Sequence, residues 1–173
     1  VLYSIKIKDQ TRKRVAGCTW VRQGEADVVW IWFLKSIRNT AEQSIVDLAL
    51  SIARKAHEGQ LDKAGVDYIK HPIYVASQVE SEEEKAVALL HDVLEDSPIT
   101  VEELLIAGLP EEIVTAVKVL TKKPMQDYQA YLETVKTNPL ALVVKLADLK
   151  HNSDLSRLTS ITKKDRERLK KYK

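Results

Sequence analysis

Residues 81–96 read SEEEKAVALLHDVLED, and they predict a helix that carries polar chemistry at its carboxyl end. Ser81 and Glu84 have the spacing of a capping box, in which each side chain bonds the backbone N–H of the other residue. The residues that follow place a wide apolar face on the helix, formed by Ala86, Val87, Leu89, Leu90, Val93 and Leu94. The sequence therefore predicts one continuous helix that packs inside a domain.

Four polar residues occupy the last turns of this helix: His91, Asp92, Glu95 and Asp96. Residues four apart share a helix face, so His91 is expected beside Glu95, and Asp92 beside Asp96. Carboxylates at a helix carboxyl end oppose the helix dipole, so three of them there are unfavourable unless a cation lies among them. A divalent metal site and a solvent-exposed helix end carry equal weight from this stretch alone.

Composition limits the classes of function that remain. A chain of 173 residues with 45% hydrophobic and 30% charged residues fits one globular domain, with or without an appendage. The net charge of +2 argues against nucleic acid as a partner, and the longest early apolar run, residues 28–34, is too short to cross a membrane. Cys18 is the single cysteine, which excludes an internal disulfide and favours the cytoplasm. Glycine-rich phosphate-binding motifs are absent from the sequence.

The chain divides by pattern into a β-rich appendage, residues 1–40, and an all-α domain, residues 41–173. The appendage contains all three tryptophans and three strand candidates, at residues 2–8, 14–22 and 27–34. Apolar residues recur at helical spacing through the rest of the chain. The predicted fold is therefore mainly α, a helical bundle with a small N-terminal β-meander.

Several caps mark the helices of the larger domain. Thr100 and Glu103 repeat the capping-box spacing, and Asn138 followed by Pro139 is typical of a helix start. A loop from Gly59 leads to a helix that begins near His71 and Pro72. The remaining helices are predicted at residues 40–57, 110–120 and 126–136, and in a basic segment after residue 162.

Two histidines and two aspartates stand at helix ends in this pattern. His71 opens one helix, His91 and Asp92 lie near the end of a second, and Asp148 lies near the end of the apolar segment 140–149. A buried carboxylate is unfavourable unless it is paired or binds a cation. A mixed nitrogen and oxygen set suits Mn, Fe or Zn better than Ca.

The order H…HD…D resembles the signature of HD-domain phosphohydrolases. The segments around it read AHEGQ, YIKHPIYVA, ALLHDVLEDSPIT and VVKLADLKHN, and they resemble, in order over residues 45–158, the hydrolase domain of the RelA/SpoT family. That family cleaves guanosine tetra- and pentaphosphate, the nucleotides of the stringent response. The resemblance implies an HD-domain helical bundle that hydrolyses the 3′-pyrophosphate to give GDP or GTP and pyrophosphate. A short, hydrolase-only form is expected.

The resemblance also implies roles for individual residues. The expected metal ligands are His71, His91, Asp92 and Asp148, with Mn²⁺ as the usual ion. Glu95 and Asp96 match the family's Glu-Asp pair that positions and activates water.

Four further residues are expected to contact a guanine nucleotide substrate. Lys63 and Tyr68 match the loop that covers the base, and Asn152 matches a nucleoside contact. Lys145 lies one turn before Asp148, where it would approach a phosphate, although such a lysine often extends along apolar surface to solvent instead.

Two positions depart from the family pattern. Asp62 stands where the family usually has an arginine that stacks on guanine, and ADLKHN replaces the common ADRLHN. An aspartate cannot stack as a guanidinium does. Two alternatives therefore remain, which are hydrolysis of another nucleotide or phosphorylated cofactor, and a non-catalytic nucleotide-binding regulatory module.

Overall fold

The computed structural model describes residues 13–15, 18–21 and 44–154, and within these ranges the chain forms two short strands and eight helices. Strand β1, Lys13–Val15, pairs antiparallel with β2, Cys18–Val21. The single strand predicted over residues 14–22 is therefore wrong, since Ala16 and Gly17 interrupt the β-formers of the sequence and two shorter strands pair instead. The candidates at residues 2–8 and 27–34, and the basic helix after residue 162, lie outside the described residues.

The mainly α fold class is confirmed. The helices are α1 Ile45–Ala56, α2 Lys70–Ala76, α3 Glu82–Leu90, α4 Val93–Asp96, α5 Val101–Ala107, α6 Glu111–Leu120, α7 Tyr128–Lys136 and α8 Pro139–Ser153. Both predicted capping boxes form, and the Asn138 side chain accepts the Ala141 N–H at the start of α8. Among these helices, none combines the length and apolar composition needed to cross a bilayer.

Helix α3 occupies the centre of the bundle. It packs against α1, α2, α6 and α8, and its last five residues, 86–90, are all buried. A helix that is apolar on every side is stable only where other helices surround it. The interior position of α3 places its carboxyl end, and the polar residues that follow, beside α2 and α8.

Helices α3 and α4 are separate, which corrects the prediction of one helix over residues 81–96. Helix α3 ends at Leu90 and α4 begins at Val93, with His91 and Asp92 in a turn between them. The Nδ1 atom of His91 lies 2.7 Å from the carbonyl oxygen of Ala88, the acceptor that the Asp92 N–H uses in a continuous helix. The imidazole thus competes for a main-chain acceptor at the point where the helix is interrupted.

Two adjacent leucines on α5 test the packing of the bundle. Leu104 is fully buried and Leu105 is 42% exposed, so the same substitution removes a core side chain at one position and a surface side chain at the next. We expect Leu104→Ala to lower the free energy of unfolding by about 2–5 kcal/mol because it leaves a cavity. Leu105→Ala should change it by less than about 1 kcal/mol. Urea unfolding of both variants measures the difference, and equal losses would contradict this packing of α5.

Candidate metal centre

Three helical elements bring His71, His91 and Asp148 together. His71 lies in the first turn of α2, His91 follows α3, and Asp148 lies on α8. All three side chains are buried, and one ligand atom from each lies within 4.8 Å of the others. Asp148 Oδ1 is 3.2 Å from His71 Nε2 and 3.8 Å from His91 Nε2. The packing of α2, α3 and α8 therefore builds a compact group of potential ligands.

Asp92 adds a second carboxylate to this group. Its Oδ2 atom is 3.0 Å from His91 Nε2 and 3.7 Å from His71 Nε2. Two imidazole nitrogens and two carboxylates now converge on one small volume. This mixed donor set suits a first-row divalent transition ion.

The environment of His91 fits a metal ligand. If its Nδ1–H donates to the Ala88 carbonyl, the neutral ring carries a lone pair on Nε2. That Nε2 atom is buried and, among the described residues, has no hydrogen-bond partner, although Asp92 Oδ2 lies 3.0 Å away outside hydrogen-bond geometry. A bound cation would give this buried nitrogen a partner and offset the charge of the two carboxylates beside it.

Electrostatics at His91 show how strongly this site favours positive charge. Burial by itself lowers the pKa of His91, but the carboxylates of Asp92 and Asp148 outweigh burial and raise the pKa to about 9. The same carboxylates that favour a proton on the ring favour a divalent ion in its place. The residues present thus fit a divalent metal ion.

Neighbouring donors keep both carboxylates ionised and oriented. The Tyr68 hydroxyl donates to Asp92 Oδ2 at 2.6 Å, and Lys145 Nζ donates to Asp148 Oδ2 at 2.9 Å. Burial opposes ionisation, but His91 lowers the pKa of Asp92, and the neighbouring His71, His91 and Lys145 lower the pKa of Asp148 to about 2. Burial and Asp92 raise the pKa of Tyr68, so its hydroxyl stays protonated as a donor.

A cavity of about 200 Å³ adjoins this group of ligands. Most of the side chains that line it are polar or aromatic, and they are Tyr68, His71, His91, Asp92, Glu95, Leu120, Lys122, Tyr128, Tyr131, Lys145, Asp148 and Asn152.

Known proteins resemble this chain in sequence. The chain is 41% identical over 115 residues, 58% of its length, to a guanosine-3′,5′-bis(diphosphate) 3′-pyrophosphohydrolase of Haemophilus influenzae. It is 30% identical over 160 residues, 80% of its length, to a protein of the same name from Borreliella burgdorferi. These alignments span only 17% and 23% of the two relatives. No protein-family model matches the chain.

A solved structure from work on a metazoan ortholog of SpoT that hydrolyzes ppGpp has the same fold. It superposes with a TM-score of 0.63 at 24% identity, over 77% of this chain and 83% of that one. The helical part of this chain is thus similar in sequence to these pyrophosphohydrolases and shares the fold of that solved structure.

The two predicted catalytic carboxylates, Glu95 and Asp96, have different surroundings. Glu95 lines the cavity, and its Oε2 atom accepts the Lys122 N–H at 3.4 Å. Asp96 does not line the cavity, and its main-chain carbonyl accepts from Gln60 Nε2 at 2.9 Å. Partial burial and the charge of Asp92 raise the pKa of Asp96. The structure therefore brings Glu95 closer than Asp96 to the space that a substrate would occupy.

Three of the four residues predicted to contact the substrate lie at the cavity. Tyr68, Lys145 and Asn152 line the cavity, whereas Lys63 does not. Tyr68 and Lys145 already hold the carboxylates described above, and Asn152 Nδ2 donates to Asp148 Oδ1. These three residues thus form hydrogen bonds with the proposed ligands Asp92 and Asp148. Their contact with a nucleotide stays a prediction.

Asp62 stabilises the loop between α1 and α2. Its Oδ1 atom accepts the N–H groups of Ala64 at 2.8 Å and Val66 at 2.9 Å. This bonding closes the turn between Leu61 and Asp67, which pair as an isolated bridge. The aspartate that replaces the family's arginine is therefore used to shape the loop.

Sequence reasoning missed several residues of the site. Tyr131 is buried against the cavity, its hydroxyl donates to the Leu120 carbonyl at 2.7 Å, and Lys145 Nζ lies 5.5 Å from its ring centroid. In sequence it is one more apolar position of an amphipathic helix. Lys122 also lines the cavity, and the Nδ1 atom of His151 lies 2.7 Å from that of His71.

Metal binding is the direct test of this centre. We expect the purified protein to bind about one divalent transition ion per chain. His91→Ala should lose the ion, because it removes the Nε2 ligand atom together with the ring that the Ala88 carbonyl orients. Elemental analysis after gel filtration measures the ion. Glu95→Gln is the matched control, since Glu95 lines the same cavity outside the group of ligands. Full occupancy in His91→Ala would exclude His91 as a ligand.

Proposed function

We propose that this chain hydrolyses the 3′-pyrophosphate of guanosine tetra- and pentaphosphate, giving GDP or GTP and pyrophosphate. The observation that carries the proposal is the group His71, His91, Asp92 and Asp148 at the edge of a polar cavity. The names of the relatives from Haemophilus influenzae and Borreliella burgdorferi support the reaction and the guanine nucleotide.

The proposed ion is Mn²⁺, held by the four residues of that group. When bound, it supplies Lewis-acid polarisation of a phosphate oxygen and lowers the pKa of a coordinated water. The chain's own residues prepare the ligands, since Ala88 fixes the His91 ring, Tyr68 holds Asp92, and Lys145 holds Asp148.

The reaction itself is a displacement by water. The water oxygen bonds to the phosphorus attached to the 3′ oxygen, the bond between that phosphorus and the 3′ oxygen breaks, and the 3′ oxygen takes up a proton. We assign removal of the water proton to Glu95, which lines the cavity, with Asp96 as its partner in relaying it. Lys122 and Lys145 lie where they can balance charge on the departing pyrophosphate.

Lys145 keeps its charge in this buried position. Burial by itself lowers its pKa, but Asp148 and Tyr131 outweigh burial and raise the pKa above its usual range. The ammonium group therefore stays positive throughout the pH range in which enzymes work. A permanent cation beside Asp148 supports a role in binding phosphate.

Hydrolysis of another nucleotide is the second candidate, and Asp62 favours it. Asp62 is an anion and offers no cation to stack on guanine, and its carboxylate already bonds the loop backbone. A non-catalytic regulatory module is less well supported, because Glu95 lines the cavity beside the proposed ligands, where a hydrolase needs a group that accepts a proton. The cytoplasmic location favoured by the single cysteine, and the boundary near residue 40, remain predictions.

Product analysis tests the proposed reaction. Purified protein with Mn²⁺ should convert guanosine tetraphosphate to GDP and pyrophosphate, and a chelator should stop it. We expect Glu95→Gln and Asp96→Asn to keep the metal while lowering kcat by about 10²–10⁴-fold, because proton transfer is lost and coordination is retained. Steady-state kinetics and metal analysis of the same samples separate the two effects. Unchanged kcat in both variants would remove these carboxylates from the mechanism.

Base specificity distinguishes the two candidate substrates. Asp62 offers no cation to stack on the base, a contact worth roughly 1–3 kcal/mol, so we expect kcat/KM to differ little between guanosine and adenosine 3′-pyrophosphates. Steady-state kinetics on both nucleotides gives the ratio. Asp62→Asn is the control, since it keeps Oδ1 as an acceptor for the loop, and it should leave the ratio unchanged. A strong preference for guanosine in the unmodified protein would show that the base is recognised elsewhere.

A further inference from the structure

His151 on α8 makes a direct contact with the proposed ligand His71 on α2. The two Nδ1 atoms are 2.7 Å apart, the ring planes differ by 12°, and the ring centroids are 4.9 Å apart. This separation is too short for two nitrogens that are not hydrogen-bonded, so one nitrogen donates a hydrogen bond to the other. The remaining question is which ring donates.

The opposite edge of His71 decides the direction of this hydrogen bond. Its Nε2 atom faces the carboxylates of Asp148 at 3.2 Å and Asp92 at 3.7 Å. An imidazole nitrogen that binds a metal needs its lone pair, so the hydrogen of the neutral ring must then lie on Nδ1. With an ion bound at Nε2, His71 Nδ1–H would be the donor and His151 Nδ1 the acceptor.

The acceptor ring is itself held in place. The Tyr74 ring stacks on His151 with centroids 4.1 Å apart and planes 23° apart. His151 also lies three residues after Asp148 on the same helix, so α8 supplies both a proposed ligand and the group that bonds the neighbouring ligand. Helix α8 thus contacts both edges of the His71 ring.

We propose that His151 is a positioning residue that selects the Nε2-binding tautomer of His71 and fixes its ring for the metal ion. The inference rests on the metal site of the proposed function. Groups that bond the far nitrogen of a metal-binding histidine typically change metal affinity by about 10–100-fold when they are removed. His151 acts through His71 and is not assigned any contact with the substrate.

Two substitutions separate the hydrogen bond from ring packing. His151→Phe keeps a flat ring against Tyr74 and removes the acceptor, whereas His151→Asn removes the ring and keeps an acceptor atom close to the position of Nδ1. We expect His151→Phe to weaken Mn²⁺ binding by about 10–100-fold, and His151→Asn to restore most of that loss. Tyr74→Leu removes the stacked ring alone and should weaken binding less than His151→Phe does. Isothermal titration of Mn²⁺ into the metal-free proteins measures each affinity.

The outcomes distinguish this inference from the proposed function. Equal Mn²⁺ affinity in His151→Phe and the unmodified protein would overturn the role of His151 and leave the metal site in place. Equal weakening in His151→Phe and His151→Asn would also overturn it, because packing would then explain the loss. Absence of Mn²⁺ binding by the unmodified protein would overturn both the metal site and the role of His151.

A spectroscopic measurement covers the case in which His151→Phe does not fold. Long-range ¹H–¹⁵N correlation spectra of the unmodified protein identify which nitrogen of each histidine carries hydrogen, and Zn²⁺ replaces paramagnetic Mn²⁺ in that sample. We expect the hydrogen of His71 on Nδ1 and that of His151 on Nε2. A hydrogen on Nδ1 of His151 would overturn the proposed direction of the bond.

Discussion

The structure depends on balancing the charge of Asp148 inside a helical core. This carboxylate is only 4% exposed, and an unpaired charge at that depth would destabilise the fold severely. Its balance comes from Lys145 and Asn152 on its own helix and from His71 on another. His71 contributes to this balance only when α2 packs against α8, and the same packing gathers the proposed ligands.

Features set by short-range sequence patterns could be predicted. Helix capping depends on residues within one turn, so two helix starts could be predicted from the pairs Ser81 with Glu84 and Asn138 with Pro139. The mainly α class followed from apolar spacing in the same way. The grouping of His71, His91, Asp92 and Asp148 was predicted from the resemblance to a family. Residue spacing alone did not distinguish a metal site from a solvent-exposed helix end.

Features that depend on competing or distant contacts could not be predicted. The helix break at His91 arises because one side chain takes a main-chain acceptor, which apolar periodicity does not report. Asp62 could be seen as a departure, but its bonds to Ala64 and Val66 depend on the loop conformation. The contact between His71 and His151 joins residues 80 positions apart and exists only once α2 and α8 have packed.

The distribution of the proposed ligands over three helices links the ion to the unfolding equilibrium of the whole bundle. Residues 71 and 148 meet only in the folded chain, so an ion held between them has no equivalent site in the unfolded chain. At a free metal concentration 100 times its dissociation constant, such binding adds about 2.7 kcal/mol to folded-state stability. The supply of free metal would then change the fraction of the chain that is folded, in addition to the proposed activity.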